Sequence, residues 1–193
     1  MQAEASTLKS ATSRGRADWV LAAIELVAAE GESGVRIDRL CRDLGVTKGS
    51  FYHHFGSRQD LIDAVADYWS REQPLAVIAD LRASKAGPFE RLVALTRVYA
   101  DLDIGARDHA MRAWATSDPT IAAAVESADG AILKFLDEVL LEMGVPKADA
   151  FALARVLMFS TIGLYSAAGV VDEKERRRVA SWLVKLIEER KKQ

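Results

Sequence analysis

Cysteine is almost missing from this chain of 193 residues: Cys41 stands alone, so no disulfide can close within it and no Cys-rich metal cluster can be built. That usage gives no argument for secretion, and a reducing cytoplasm is the expected setting. Histidine is scarce as well. Of three, His53 and His54 are adjacent, and on a helix neighbours diverge by about 100°, which keeps them from sharing one metal ion easily. Only His109 remains elsewhere, and the chain has neither a glycine-rich phosphate loop nor metal-ligand spacing. The expectation is a chain that is not an enzyme and uses no metal and no cofactor. An excess of one charge is lacking too: 26 basic against 28 acidic residues leave a formal charge of -2. Affinity for nucleic acid would therefore have to come from a local patch. Long apolar runs are also absent. The longest uncharged stretch, residues 156–171, falls short of the ~20 residues a bilayer span needs, and Asp149, Arg155 and Asp172 bracket it. A buried helix of a non-membrane protein is expected there. Residues 1–16 lack the apolar core of a signal peptide, and 1–15 read as a flexible polar arm.

What is present is helical periodicity nearly everywhere, with half of the residues hydrophobic, and no sustained apolar/polar alternation of the strand kind. The fold class is all-α. Trp19, Val20, Ala23, Ile24 and Val27 form the stripe of a first helix that stops at Gly31. Two short helices follow, about Ile37 to Leu44 and Lys48 to Phe55, too short to stand alone in water. Ser57 is placed to cap a fourth helix whose Leu61, Ile62, Val65, Ala66 and Trp69 point inward as far as Pro74. Beyond it, Pro88 opens a helix through Leu92, Leu95 and Tyr99, and a short one runs from about Arg107 to Ala115. Ser117-Asp118-Pro119 starts a long helix that ends near Met143 at Gly144, and helices of about Lys147 to Ala168 and Glu173 to Arg190 close the chain. The expected division is a helix-turn-helix domain over 16–60 and a larger helical domain over 61–193.

The informative stretch is 37–55. Ile37, Leu40, Cys41 and Leu44 recur at i, i+3, i+4 and i+7, Gly45 can take the left-handed conformation that ends a helix, Val46 plugs the corner, and Thr47 caps the next helix. On a helical wheel Phe51 and Phe55 lie together, while Gly49, Tyr52 and His53 lie opposite, flanked by Lys48 and Ser50. Arg36, Arg39, Arg42, Lys48 and Arg58 stand against only Asp38 and Asp43. A face of this kind can enter a major groove, with Gly49 allowing close backbone approach and Lys48, Ser50, Tyr52 and His53 donating to phosphate or base edges. Cys41 is expected to pack as a small inert hydrophobe.

The run Gly45-Val46-Thr47-Lys48-Gly49-Ser50-Phe51-Tyr52-His53-His54-Phe55, followed by Gly56-Ser57-Arg58-Gln59-Asp60-Leu61, resembles the TetR family of transcriptional regulators over about residues 16–70. The resemblance implies that Thr47, Tyr52, His53 and Arg58 touch phosphates and that Lys48, Gly49 and Ser50 sit nearest the bases. Arg36 departs from the family by standing where a capping Thr or Ser is usual; it weakens the cap but can supply a phosphate contact. Arg58 replaces the usual Lys.

The family also implies a ligand pocket in the C-terminal domain. Trp69, Tyr99, Met111, Trp114, Phe135, Met158, Phe159 and Tyr165 are the apolar and aromatic candidates, with Asp103, His109, Arg112 and Ser160 as polar contacts. The helix from Lys147 is apolar nearly all round, so it needs cover on both sides. One cover is the domain core; for the other, a four-helix bundle with a second subunit is expected, through Phe151, Leu157, Gly163, Leu164, Trp182 and Leu186. Packing of both faces within the monomer is the alternative. The expected protein is a dimeric, ligand-responsive regulator of double-stranded DNA, a repressor released by an unidentified small molecule. The competing class is a helical ligand-binding or interaction protein that does not read DNA.

Overall fold

The computed structural model describes residues 14–101, 104–167 and 170–190; Asp103 and residues 1–13 of the arm expected over 1–15 lie outside them. Every regular element among the described residues is helical. In chain order they are α1 (Arg16–Glu30), a 3-10 turn (Glu32–Gly34), α2 (Ile37–Leu44), α3 (Lys48–His54), α4 (Arg58–Asp67), a π turn (Tyr68–Glu72) and α5 (Gln73–Ala83). Then come α6 (Pro88–Asp101), α7 (Ile104–Ala115), α8 (Pro119–Glu142), α9 (Lys147–Ser166) and α10 (Glu173–Arg190).

The helix starts follow the chemistry of their caps. Thr47 accepts from the Ser50 amide, Ser57 from the Asp60 amide, and Asp118 from the amides of Thr120 and Ile121. Arg36 makes no side-chain cap at α2, as its side chain has no acceptor to offer. Gly45 ends α2 at φ 69° and ψ 33°, a left-handed conformation that a Cβ would strain.

Pro74 does not end the fourth helical segment where the sequence predicts. The chain passes through the π turn and continues as α5, with Pro74 in its first turn. A proline there is tolerated because its missing N–H is not needed, and the widened turn just before it relieves the clash of its ring with the preceding carbonyl. Helix α7 starts three residues earlier than expected, at Ile104.

Two apolar clusters hold the molecule together. The first packs Trp19, Ile24, Val27, Leu40, Phe51, Phe55, Leu61 and Val65, then runs on through Trp69 to Met111 and Trp114 of α7 and Ile121 to Ala128 of α8. The second joins Ile78, Leu92, Phe135, Val139, Leu140, Ala154, Met158 and Ile187. Helix α8 contributes to both.

Helix α9 is long and apolar enough, by length and composition, to cross a membrane. In the structure Ala150, Ala154, Leu157 and Met158 pack inward, and Arg155 in the middle of the helix pairs with Asp137 of α8 at 3.1 Å. Its other side, with Phe151, Val156 and Phe159, is exposed.

Candidate nucleic-acid interface and an adjoining buried cavity

Helix α3 is too short to hold itself, so its inner face is fixed by rings. Phe51 is fully buried, edge-on to Trp19 at 5.4 Å between centroids and stacked with Phe55 at 5.4 Å. Arg16 donates to the His54 carbonyl at 2.8 Å and lies over the Phe55 ring, which ties α1 to the end of α3. The sequence reading missed this role of Arg16; a cation one turn before Trp19 was its only signal. Cys41 is buried, and burial, then the Asp38 charge, pushes its thiol pKa up, which disfavours the thiolate.

The opposite face is open. Tyr52 is 56% exposed, and Thr47, Lys48, Gly49 and His53 are exposed around it, with Ser50 half-buried. Arg36 is exposed at the start of α2. Arg58 is less free than its place in the sequence implies: its Nε donates to the Val35 carbonyl at 2.9 Å, fixing the start of α4 to the start of α2. The patch is also partly self-neutralised. Lys48 pairs with Asp38 at 2.6 Å, and Arg39 pairs with Glu30 and Asp43. Asp38 raises the Lys48 pKa, chiefly through that hydrogen bond. Among the described residues Arg36 and Arg42 have no carboxylate partner.

A second feature lies between α5, α6, α7, α8 and α9. Two cavities, about 50 and 80 Å³, share Leu95, Tyr99, Asp108 and Ile132 as a common wall. Trp69 and Asp129 line the first; Arg112, Leu157 and Met158 line the second. Arg112 is the hinge of the polar wall: its Nε donates to Asp108 at 2.7 Å and its two terminal nitrogens reach Asp129 at 2.8 and 2.6 Å. Burial alone would lower its pKa, but the bonds to Asp129 and Asp108 hold it above the ordinary guanidinium value. The Tyr99 hydroxyl is buried with no hydrogen bond of ordinary length, and burial, then the charge and proximity of Asp108, raises its pKa. A third void of about 40 Å³, beyond Thr96 and Thr161, is lined by Tyr165, Glu173, Arg176 and Arg177.

Of the twelve residues assigned to a pocket from the sequence, Trp69, Tyr99, Arg112 and Met158 line the two cavities and Tyr165 the third void. Met111 and Trp114 instead fill the N-terminal cluster and Phe135 the second cluster, because their large apolar side chains serve close packing. Phe159 is 60% exposed on the outer side of α9, half a turn from the cavity wall, and His109 is exposed, 3.3 Å from the Ser166 hydroxyl. Leu157, assigned to a subunit interface, is 6% exposed and lines a cavity inside the chain. The other interface candidates are on the outside: Phe151, Gly163, Trp182 and Leu186 are exposed and Leu164 is half-buried. Asp108 and Asp129 escaped the sequence reading. Their signal was an Asp-Arg pair four residues apart on α7 and a lone carboxylate, Asp129, between Ala128 and Gly130 on an apolar helix.

Helices α7 and α9 touch most closely at Gly105, where a Cβ would lie 2.3 Å from the Tyr165 ring. Gly105→Ala is expected to push that ring away from Tyr99, with which it makes an edge contact at 5.3 Å. A cost of about 1–3 kcal/mol follows from overpacking. Thermal melts of the purified variant check it, and an unchanged midpoint would refute the close contact.

The described residues thus combine an N-terminal helix-turn-helix with a helical body that encloses small, largely apolar cavities. Residues 20–65 match the family model for "Bacterial regulatory proteins, tetR family". That likeness in sequence is confined to the N-terminal segment. Over 54 residues it is 39% identical to the HTH-type transcriptional regulator SrpR of Pseudomonas putida, a match covering 28% of this chain and 24% of that one. A TetR-family regulator from Agrobacterium tumefaciens superposes with a TM-score of 0.74 at 19% identity, over 88% of this chain and 95% of the other. A regulator from Saccharomonospora viridis in complex with choline gives 0.72 at 20% identity, over 90% and 95%. FadR from Bacillus subtilis in complex with stearoyl-CoA gives 0.67 at 16% identity, over 90% and 97%. These structural likenesses establish the fold.

Proposed function

We propose that the chain is a ligand-responsive repressor that binds a two-fold operator as a homodimer and is released by a small molecule. The observation that carries this reading is the division of α3 into a buried aromatic face and an open face of Lys48, Gly49, Tyr52 and His53. In that reading Thr47, Tyr52, His53, Arg36 and Arg58 meet phosphates, while Lys48, Gly49 and Ser50 lie nearest the base edges. The exposed stripes Phe151, Val156, Phe159 and Gly163 on α9 and Val179, Trp182 and Leu186 on α10 would be covered by the same helices of a second copy. Two recognition helices would then enter successive major grooves about 34 to 36 Å apart.

Release follows from the cavity's place in the chain. Trp69, in the π turn that continues α4, lines the first cavity, and α7, whose Asp108 forms the common wall, packs on α1 through an Arg107–Glu25 pair at 2.5 Å. The likeness to folds solved with choline and with stearoyl-CoA supports a ligand in this body. A ligand that weakens DNA binding 100-fold supplies about 2.7 kcal/mol of differential affinity, and DNA must weaken ligand binding equally.

Selection of bound sequences from random duplex DNA, followed by titration against salt, tests the reading. A palindrome with half-sites one helical turn apart and a steep loss of affinity with salt are expected. No enrichment would favour the interaction-protein class. The internal ion pair adds a sharper test. Because Asp38 both occupies Lys48 and repels phosphate, Asp38→Asn is expected to tighten duplex binding by up to about fivefold, while Lys48→Ala weakens it. Weaker binding by Asp38→Asn in fluorescence anisotropy would refute the placement of Lys48 against DNA.

A further inference from the structure

We infer that the paired cavities beside Tyr99 take an amphiphilic cation, an apolar body carrying a protonated amine whose head sits against Asp108. The walls of the larger cavity are apolar: Leu92, Leu136, Leu157, Met158 and Ile162. Each cavity exceeds the ~10–15 Å³ that a single water requires several times over, so either has room for a short carbon chain. The polar wall is unbalanced. Asp108 and Asp129 bring two carboxylates against the single guanidinium of Arg112, and burial in a low-dielectric wall makes the unmatched charge count.

The hydrogen bonds show where the imbalance is open. Arg112 directs its Nε and both terminal nitrogens to carboxylates, so an incoming anion would have to break existing ion pairs. Asp108, 6% exposed, gives only its Oδ2 to Arg112, and the Tyr99 hydroxyl lies against the same carboxylate. The Tyr99 hydroxyl, whose hydrogen can turn to Asp108, shares this wall and offers its oxygen as an acceptor to an ammonium N–H, while the Tyr99 and Trp69 rings attract cations. Among the described residues that line these three voids, the cations other than Arg112 are Arg176 and Arg177, in the third void beyond Thr96. A negative head would go there.

The inference rests on the proposal that this body is the sensing domain, but its test is read on the free chain without DNA. Hexylamine, hexanol and hexanoate present one chain with three heads at neutral pH, and binding to the full chain is followed by calorimetry and tryptophan fluorescence. Hexylammonium is expected to bind at least about tenfold more tightly than hexanoate, a difference of about 1.4 kcal/mol. Asp108→Asn is expected to erase that preference, with Arg176→Gln leaving it intact. Should Asp108→Asn fail to fold, Tyr99→Phe, which keeps the ring, is expected to weaken hexylammonium alone. Equal or tighter hexanoate binding, or an ammonium preference that survives Asp108→Asn, would overturn the assignment. Ammonium binding that leaves operator affinity unchanged would count against the sensing reading and leave the ligand class standing.

Discussion

Replacing Phe51 with alanine is expected to cost about 3–5 kcal/mol and to abolish duplex binding, although the side chain never faces DNA. Phe51 is fully buried where α1 and α3 meet, and its ring touches Trp19, Phe55 and Tyr52 at centroid distances of 5.3–5.4 Å. A helix of seven residues has too few internal hydrogen bonds to persist without that anchor. Chemical denaturation should show a large drop in midpoint for Phe51→Ala. Tyr52→Phe, whose side chain is exposed, should leave the midpoint in place and lower DNA affinity. Similar stability of Phe51→Ala and the parent would mean that α3 is held by something other than its rings.

Arg112→Ala should be nearly as damaging, for an electrostatic reason. Removing one partner of a buried ion pair leaves the other charge uncompensated, at about 3–5 kcal/mol. Here one guanidinium serves two carboxylates, one of them 6% exposed. Adding Asp108→Asn and Asp129→Asn to Arg112→Ala should return much of the lost stability, since neutral amides are far cheaper to bury than unpaired charges. Denaturant midpoints for the single and triple variants decide the matter. A triple variant no more stable than the single would show that Arg112 acts through packing of its stem rather than its charge.

The parts of this fold governed by local chemistry were legible in the sequence. The Gly45 corner, the Thr47, Ser57 and Asp118 caps and the inward Phe51–Phe55 pair all stand where spacing alone put them. What stayed hidden depends on contacts between distant segments. Pro74 reads as a terminator until the widened turn before it is seen, and Phe135, Met111 and Trp114 look as suited to a pocket as to a core. Only packing decides between those two fates. Asp108 and Asp129 were passed over because an isolated carboxylate on a helix reads as solvated; their link through Arg112 joins two helices that the sequence does not place side by side. Leu157 and Phe159, two residues apart on α9, point to opposite sides of it, a distinction the all-round apolar pattern conceals.

The first apolar cluster does not stop at the helix-turn-helix: Trp69, Met111, Trp114 and Ile121 close the same hydrophobic volume that Trp19 and Phe51 open. The helix-turn-helix is therefore not a portable module. Cut out after α4, it would carry a raw apolar wound where α7 and the first half of α8 had been, and its partner would carry the matching scar. Chimeras that graft these N-terminal helices onto another helical body should make their seam elsewhere, keeping α7 and the start of α8 with the helices they seal.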